Sequence, residues 1–150
     1  MQIELKEITR ENLRECCTLE LDPEQAKRIA PNAISIAESK LKPGYEPYAI
    51  YNGNRMVGFI MYGHDKHEDL PGQYYLIRLM IAKNEQRNGY GRAATLIAIE
   101  RMKSYRDCSY IDVGAVVGYE ASLQLYLNCG FVKTGEIFGR EIQLRIEVKK

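Results

Sequence analysis

The chain has 150 residues, of which 45% are hydrophobic and 27% charged, and its net charge is +1. That size and balance suit one compact domain spanning residues 1–150 around one core. Near-neutral charge gives no ground for a nucleic-acid partner, and no stretch reaches the ~18 apolar residues of a membrane helix.

The first six residues alternate apolar and polar and lack the apolar core of a signal peptide, so they read as a strand and the protein as cytoplasmic. Strand character runs over 3–8. Thr9 then stands as an N-cap with Glu11 in the first turn, and the helix is expected to end near Asp22-Pro23. Asp22 and Pro23 suit the N-cap and first turn of a second helical stretch over 24–41, interrupted at Pro31 into two short helices or one kinked helix. After the break at Lys42-Pro43-Gly44, residues 48–51 and 56–62 read as strands joined by the hairpin signal Asn52-Gly53-Asn54. A polar loop follows over 64–73.

Residues 74–82 form a near-continuous apolar run broken by Arg78, the pattern of a strand buried on both faces. Residues 89–105 read as a helix, 110–117 as a strand, and 120–128 as a helix stopped at Gly130. Strands over 131–135 and 142–148 flank a turn at Gly139. A strand-helix-strand unit in the middle implies parallel pairing there. The fold class is therefore α/β, a mixed sheet of about six or seven strands with four helices. The cysteines Cys16, Cys17, Cys108 and Cys129 form no C-x-x-C pair, which favours reduced thiols over disulfides or zinc, and no metal is expected. Residues 1–75 carry 12 acidic and 9 basic side chains, and residues 76–150 carry 8 and 12. That asymmetry suits an anionic cofactor on the second half and a cationic substrate near the first.

The segment Gln86-Arg87-Asn88-Gly89-Tyr90-Gly91-Arg92 links the buried strand to the helix after it. Glycines admit close backbone approach, the helix N-terminus offers unpaired N–H groups, and Arg87 and Arg92 add charge, so the turn can cradle a phosphate. Ala94 would be tolerated as the third position of a dinucleotide fingerprint, but only one further parallel strand follows, and no P-loop is present. Glycines placed for helix–sheet packing are the structural alternative.

Gln86-x-x-Gly89-x-Gly91 in this setting resembles the acetyl-CoA motif of the GCN5-related N-acetyltransferase (GNAT) superfamily. Downstream, Ser122-Leu123-Gln124-Leu125-Tyr126-Leu127-Asn128-Cys129-Gly130-Phe131 resembles its second landmark, A-x-x-L-Y-x-x-x-G-F. Residues 30–37 and 57–63 look like bacterial spermine/spermidine (diamine) acetyltransferases. The resemblance implies the GNAT fold, with a central parallel pair splayed by a bulge. It implies acetyl-CoA as co-substrate and a small-molecule amine acceptor, a polyamine first, acetylated by direct transfer. It assigns the pantetheine arm to the backbone of Leu79, Met80 and Ile81, with the Ile81 N–H polarising the thioester carbonyl. Residues 87–92 take the pyrophosphate, and Tyr126 is the general acid. Cys129 is read as packing, since direct transfer needs no enzyme nucleophile.

Two positions depart from the pattern. Tyr119 stands where the family often has a cofactor-contacting asparagine, and Ile77 where polyamine acetyltransferases tend to carry an acidic base. Glu38, Glu46, His64, Asp65 and Glu85 are replacements by residue type, with Glu38 and Asp65 the candidates for substrate binding. Acetylation of another amine and a catalytically weak acyl-CoA sensor are the alternative functions. The exposed final strands are compatible with a homodimer.

Overall fold

The computed structural model describes residues 1–150. In chain order the elements are β1 (Ile3–Glu7), α1 (Leu13–Cys17), α2 (Pro23–Ala26), α3 (Asn32–Leu41), β2 (Tyr45–Asn52), β3 (Arg55–Gly63), β4 (Gln73–Ile81), α4 (Tyr90–Lys103), β5 (Tyr110–Val116), α5 (Glu120–Asn128), β6 (Val132–Phe138) and β7 (Glu141–Glu147). The strands form one seven-stranded sheet in the order β1-β2-β3-β4-β5-β7-β6. Only β4 and β5 pair in parallel. No helix is long and apolar enough to cross a membrane.

The local signals explain most boundaries. The Thr9 hydroxyl accepts the Asn12 N–H at 3.3 Å and Leu13 N–H bonds Thr9 O at 2.9 Å, so the chain turns at Thr9 as expected, but the regular helix begins three residues later with Asn12 rather than Thr9 at its N-cap. The regular helix is shorter than the sequence suggests. It stops at Cys17, where the N–H and the hydroxyl of Thr18 both close the last turn onto Arg14 O, at 3.1 and 2.9 Å. The next stretch is two helices, as expected: α2 ends at Ala26, and Pro31 stands at the N-cap of α3, where its ring costs no helical hydrogen bond. Helix α5 covers the residues its sequence pattern indicates. Strand β6 runs past Gly135 to Phe138, its ladder interrupted between Lys133 and Ile137.

The sheet has a packed layer on each face. On one, α4 supplies Ala94, Ala98, Ile99 and Met102 and α5 supplies Leu123 and Tyr126, against Leu76, Ile111, Val113, Ala115 and Leu144 of the strands. On the other, Cys16, Ala49, Phe59, Met61 and Met80 form a smaller cluster with Ile29 and Ile36 of the N-terminal helical region. Side chains alternate across a strand, so Asp112 and Gly114 of β5 and Glu141 and Gln143 of β7 lie on the face away from α4 and α5.

One feature of the sheet creates the site. Pairing between β4 and β5 is confined to Gln73↔Tyr110, Tyr74↔Ile111 and Tyr75↔Asp112. Opposite β3, Met61 faces Arg78 and Tyr62 faces Leu76, which leaves Ile77 as the extra residue of a bulge. A bulge bends its strand and raises its twist, and β4 leaves β5 from this point on. The closed end is pinned across three strands. Asp112 on β5 accepts hydrogen bonds from Gln73 Nε2 on β4 at 2.9 Å and from Arg145 on β7 at 2.7 and 3.0 Å.

Candidate active site

Beyond Tyr75 and Asp112 the diverging strands open a cavity of about 840 Å³. Its walls include Ile77 to Ile81 of β4, Gly114 to Val116 of β5, the loop before α4, and Tyr126 of α5. Strand β4 therefore shows the cavity a backbone edge with no ladder partner. Ala82 N–H bonds Val57 O at 2.8 Å, and Gly58 pairs with Ile81. In an antiparallel ladder that alternation turns the polar backbone groups of Ile81 and Leu79 away from β3 and toward the gap. The Ile81 carbonyl is already engaged, accepting Gln86 Nε2 at 2.9 Å.

The loop is built by specific side chains. Gln86 also exchanges amide hydrogen bonds with Gln25 of α2, at 2.8 and 3.2 Å, which ties the loop to the N-terminal region. Asn88 donates to the carbonyls of Glu85 and Gln86 at 3.0 and 3.3 Å. It shapes the loop and is absent from the cavity wall, where Gln86, Arg87, Gly89, Tyr90, Gly91 and Arg92 all appear. Arg87 at φ 66° and Gly89 at φ 81° both take the left-handed conformation. Gly89 is the N-cap of α4, so the first N–H groups of a 14-residue helix open into the cavity beside two arginines. The two glycines do different work. A Cβ on Gly89 would approach only Met1 Cε, at 3.4 Å, whereas one on Gly91 would meet Leu125 Cδ1 at 3.1 Å. Gly89 serves backbone conformation and Gly91 helix packing. Tyr90 is largely structural, its hydroxyl accepting Asn52 Nδ2 at 3.0 Å from the β2–β3 hairpin.

Tyr126 comes in from α5. Its ring meets Phe131 edge-on at 5.8 Å, and its hydroxyl has no hydrogen-bond partner in the protein. Burial pushes its pKa well above the ordinary phenol value, with smaller contributions from Cys129 and Glu141. The side chain is thus a neutral phenol on the cavity wall. Cys129 is buried and its thiol is raised mainly by burial, in keeping with a packing role.

The substitutes for a base on β4 lie elsewhere. Glu38 reaches Arg78 Nη2 at 3.3 Å and Lys42 at 3.9 Å, outside the cavity wall. Asp65 is buried, accepting the His67 N–H at 3.1 Å, and His64 contacts Gln73 O at 2.6 Å. Glu46 accepts hydrogen bonds from Tyr48 and Tyr105 at 3.0 and 2.6 Å. Glu85 is on the cavity wall, held by Arg55 at 2.7 and 3.2 Å. No group of three His, Cys, Asp or Glu side chains is placed to hold a metal. Tyr119 stacks beneath Arg28, whose guanidinium lies 3.6 Å from the ring centroid. Glu141 of β7 is on the cavity wall and had no signal in the sequence. It enters only because register places β7 beside β5.

This arrangement agrees with the comparisons to known proteins. The acetyltransferase (GNAT) family model matches residues 6–131. The chain belongs to that family. It is an acetyltransferase whose sheet, with its single parallel pair, is the family's fold. The probable spermine N(1)-acetyltransferase of Bacillus subtilis subsp. natto is 26% identical over 130 residues, covering 84% of this chain and 85% of the relative. A Bacillus subtilis acetyltransferase solved in complex with CoA superimposes with a TM-score of 0.69 at 21% identity, covering 99% of both chains. The spermidine N-acetyltransferase of Vibrio cholerae, solved in complex with CoA and spermine, gives a TM-score of 0.72 at 15% identity, covering 98% of this chain and 96% of that one.

Proposed function

We propose that the chain is one catalytic domain that moves the acetyl group of acetyl-CoA directly to a primary amine of a polyamine. The observation that carries the reading is the gap between β4 and β5. It has an anion cradle at one end and an unbonded, protonated Tyr126 hydroxyl on its wall. Acetyl-CoA, when bound, supplies a thioester and an anionic pyrophosphate. The N-terminus of α4, with Arg87 and Arg92, fits the pyrophosphate. The free edge of β4 fits the amide-bearing arm as an added strand would, and the Ile81 N–H is turned to donate to the thioester carbonyl. Tyr126 gives its proton to the sulfur as coenzyme A leaves. The polyamine acceptor is supported by the spermine N(1)-acetyltransferase relative. Exposed Val132, Ile137 and Phe138 on edge strand β6 support a homodimer through that edge, which sedimentation velocity reads directly.

A thiol-release assay with spermine, spermidine, putrescine and a panel of other amines tests the reading. Turnover with the polyamines is expected. Turnover only with another amine replaces the acceptor, and tight acetyl-CoA binding with no turnover on any amine would make the protein a sensor.

A further inference from the structure

The cavity wall carries four cations, Arg28, Arg78, Arg87 and Arg92, and two carboxylates, Glu85 and Glu141. Glu85 is neutralised by Arg55 and Arg78 is engaged by Glu38. Glu141 forms neither an ion pair nor a hydrogen bond with the protein. It stands at the first position of β7, opposite Val116 of β5. Its carboxylate lies across Gly114: a methyl group at position 114 would overlap Oε1. The missing Cβ of Gly114 therefore makes the slot in which the carboxylate rests. Gly114 and Glu141 occupy the sheet face away from α4 and α5, whereas Tyr126 reaches the gap from α5. The two groups approach one opening from opposite faces of the sheet, and the charge of Glu141 is felt at the Tyr126 hydroxyl.

We infer that Glu141 is the carboxylate that receives the acceptor's ammonium group at the open face of the gap and takes its proton. This rests on the acetyl-transfer reading above. An unpaired carboxylate that is reachable from solvent and borders a cavity is the natural partner of a primary ammonium. The positions leave Tyr126 to the leaving group and Glu141 to the nucleophile. In the transfer, one proton passes from the ammonium nitrogen to Glu141, which releases it to solvent. The freed nitrogen lone pair forms the N–C bond to the thioester carbonyl carbon. The C–S bond breaks with its electron pair going to sulfur. Tyr126 protonates that sulfur and regains a proton from the second hydrogen leaving nitrogen. The acidic function that Ile77 cannot supply on β4 is thereby met from β7.

Two variants test the inference. Glu141→Gln keeps the shape and removes the charge. Gly114→Ala keeps the carboxylate but pushes it out of its slot, at a position whose backbone is not left-handed. For both, the KM for spermidine is expected to rise about tenfold or more, the equivalent of one charge-assisted hydrogen bond. Glu141→Gln should lower kcat as well, since an amide takes no proton. Calorimetry supplies a readout independent of turnover. Spermidine titrated into the CoA-loaded protein should bind each variant more weakly by a similar factor, while acetyl-CoA binds both as it binds the parent. Wild-type KM and wild-type spermidine affinity in Glu141→Gln would overturn the role of Glu141 and leave acetyl transfer standing. A parent protein that releases no CoA with any amine would remove both readings together. If thermal melting shows that one variant is not folded, the other decides the matter alone.

Discussion

The Tyr126 ring is held edge-on by Phe131 at an interplanar angle of 75°, which directs a hydroxyl with no protein partner at the gap. Tyr126→Phe keeps that packing and removes only the proton donor. Turnover at saturating substrates should fall by roughly tenfold or more. The urea midpoint should stay close to that of the parent, because no intramolecular hydrogen bond is lost. Unchanged kcat would remove Tyr126 from the reaction. The place of Tyr126 on the cavity wall was legible in the sequence because Leu125-Tyr126 and Gly130-Phe131 stand together on one short segment. Glu141 was not legible. Its place depends on Gly114, a residue on another strand, and a lone glutamate after a turn reads as a solvated charge. Gln86 falls between the two cases. Its motif position marked it, but its bonds to Ile81 O and Gln25 show that it shapes the loop.

Helix α4 concentrates the cofactor reading in its first turn. Gly89 at φ 81° caps it, and an L-residue there costs about 1–2 kcal/mol in backbone strain. The space around its missing Cβ is open, with only Met1 Cε in reach, so a larger side chain extends over the cradle without breaking the core. Gly89→Arg should still fold, with a small loss of stability, and should lose detectable acetyl-CoA binding by calorimetry. Retained affinity would show that the pyrophosphate sits elsewhere. The elements with strong periodicity or clear punctuation, β3, β4, α4, β5 and α5, were read from the sequence to within a residue or two. Those that depend on local side-chain bonds were not: α1 ends early where the N–H and hydroxyl of Thr18 together close off its last carbonyls. The splay of β4 from β5 came from the family resemblance, and neither strand's own pattern signals it. Only the pairing of β3 with β4 identifies Ile77 as the extra residue.

Across the whole molecule, seven of the eleven tyrosines have phenol pKa values raised above the ordinary value. For Tyr45, Tyr48, Tyr62, Tyr74, Tyr75 and Tyr126 burial is the main cause. For Tyr105 it is the hydrogen bond donated to Glu46. Burial likewise raises the Cys16 thiol to about 12. In every case the folded chain keeps a proton at a pH where the unfolded chain has lost it. The unfolded state then binds fewer protons than the native state, and stability falls as pH rises. The contribution of the phenols is fully present below the unfolded value of about 10 and is lost above it. Urea midpoints should therefore hold between about pH 8 and 9 and drop steeply above about pH 10. Tyrosinate absorbance should appear together with loss of helix signal rather than ahead of it. Ionisation of these phenols in a chain that still shows its full helix signal would mean that they are open to water, and that the layers on either side of the sheet are looser than their packing indicates.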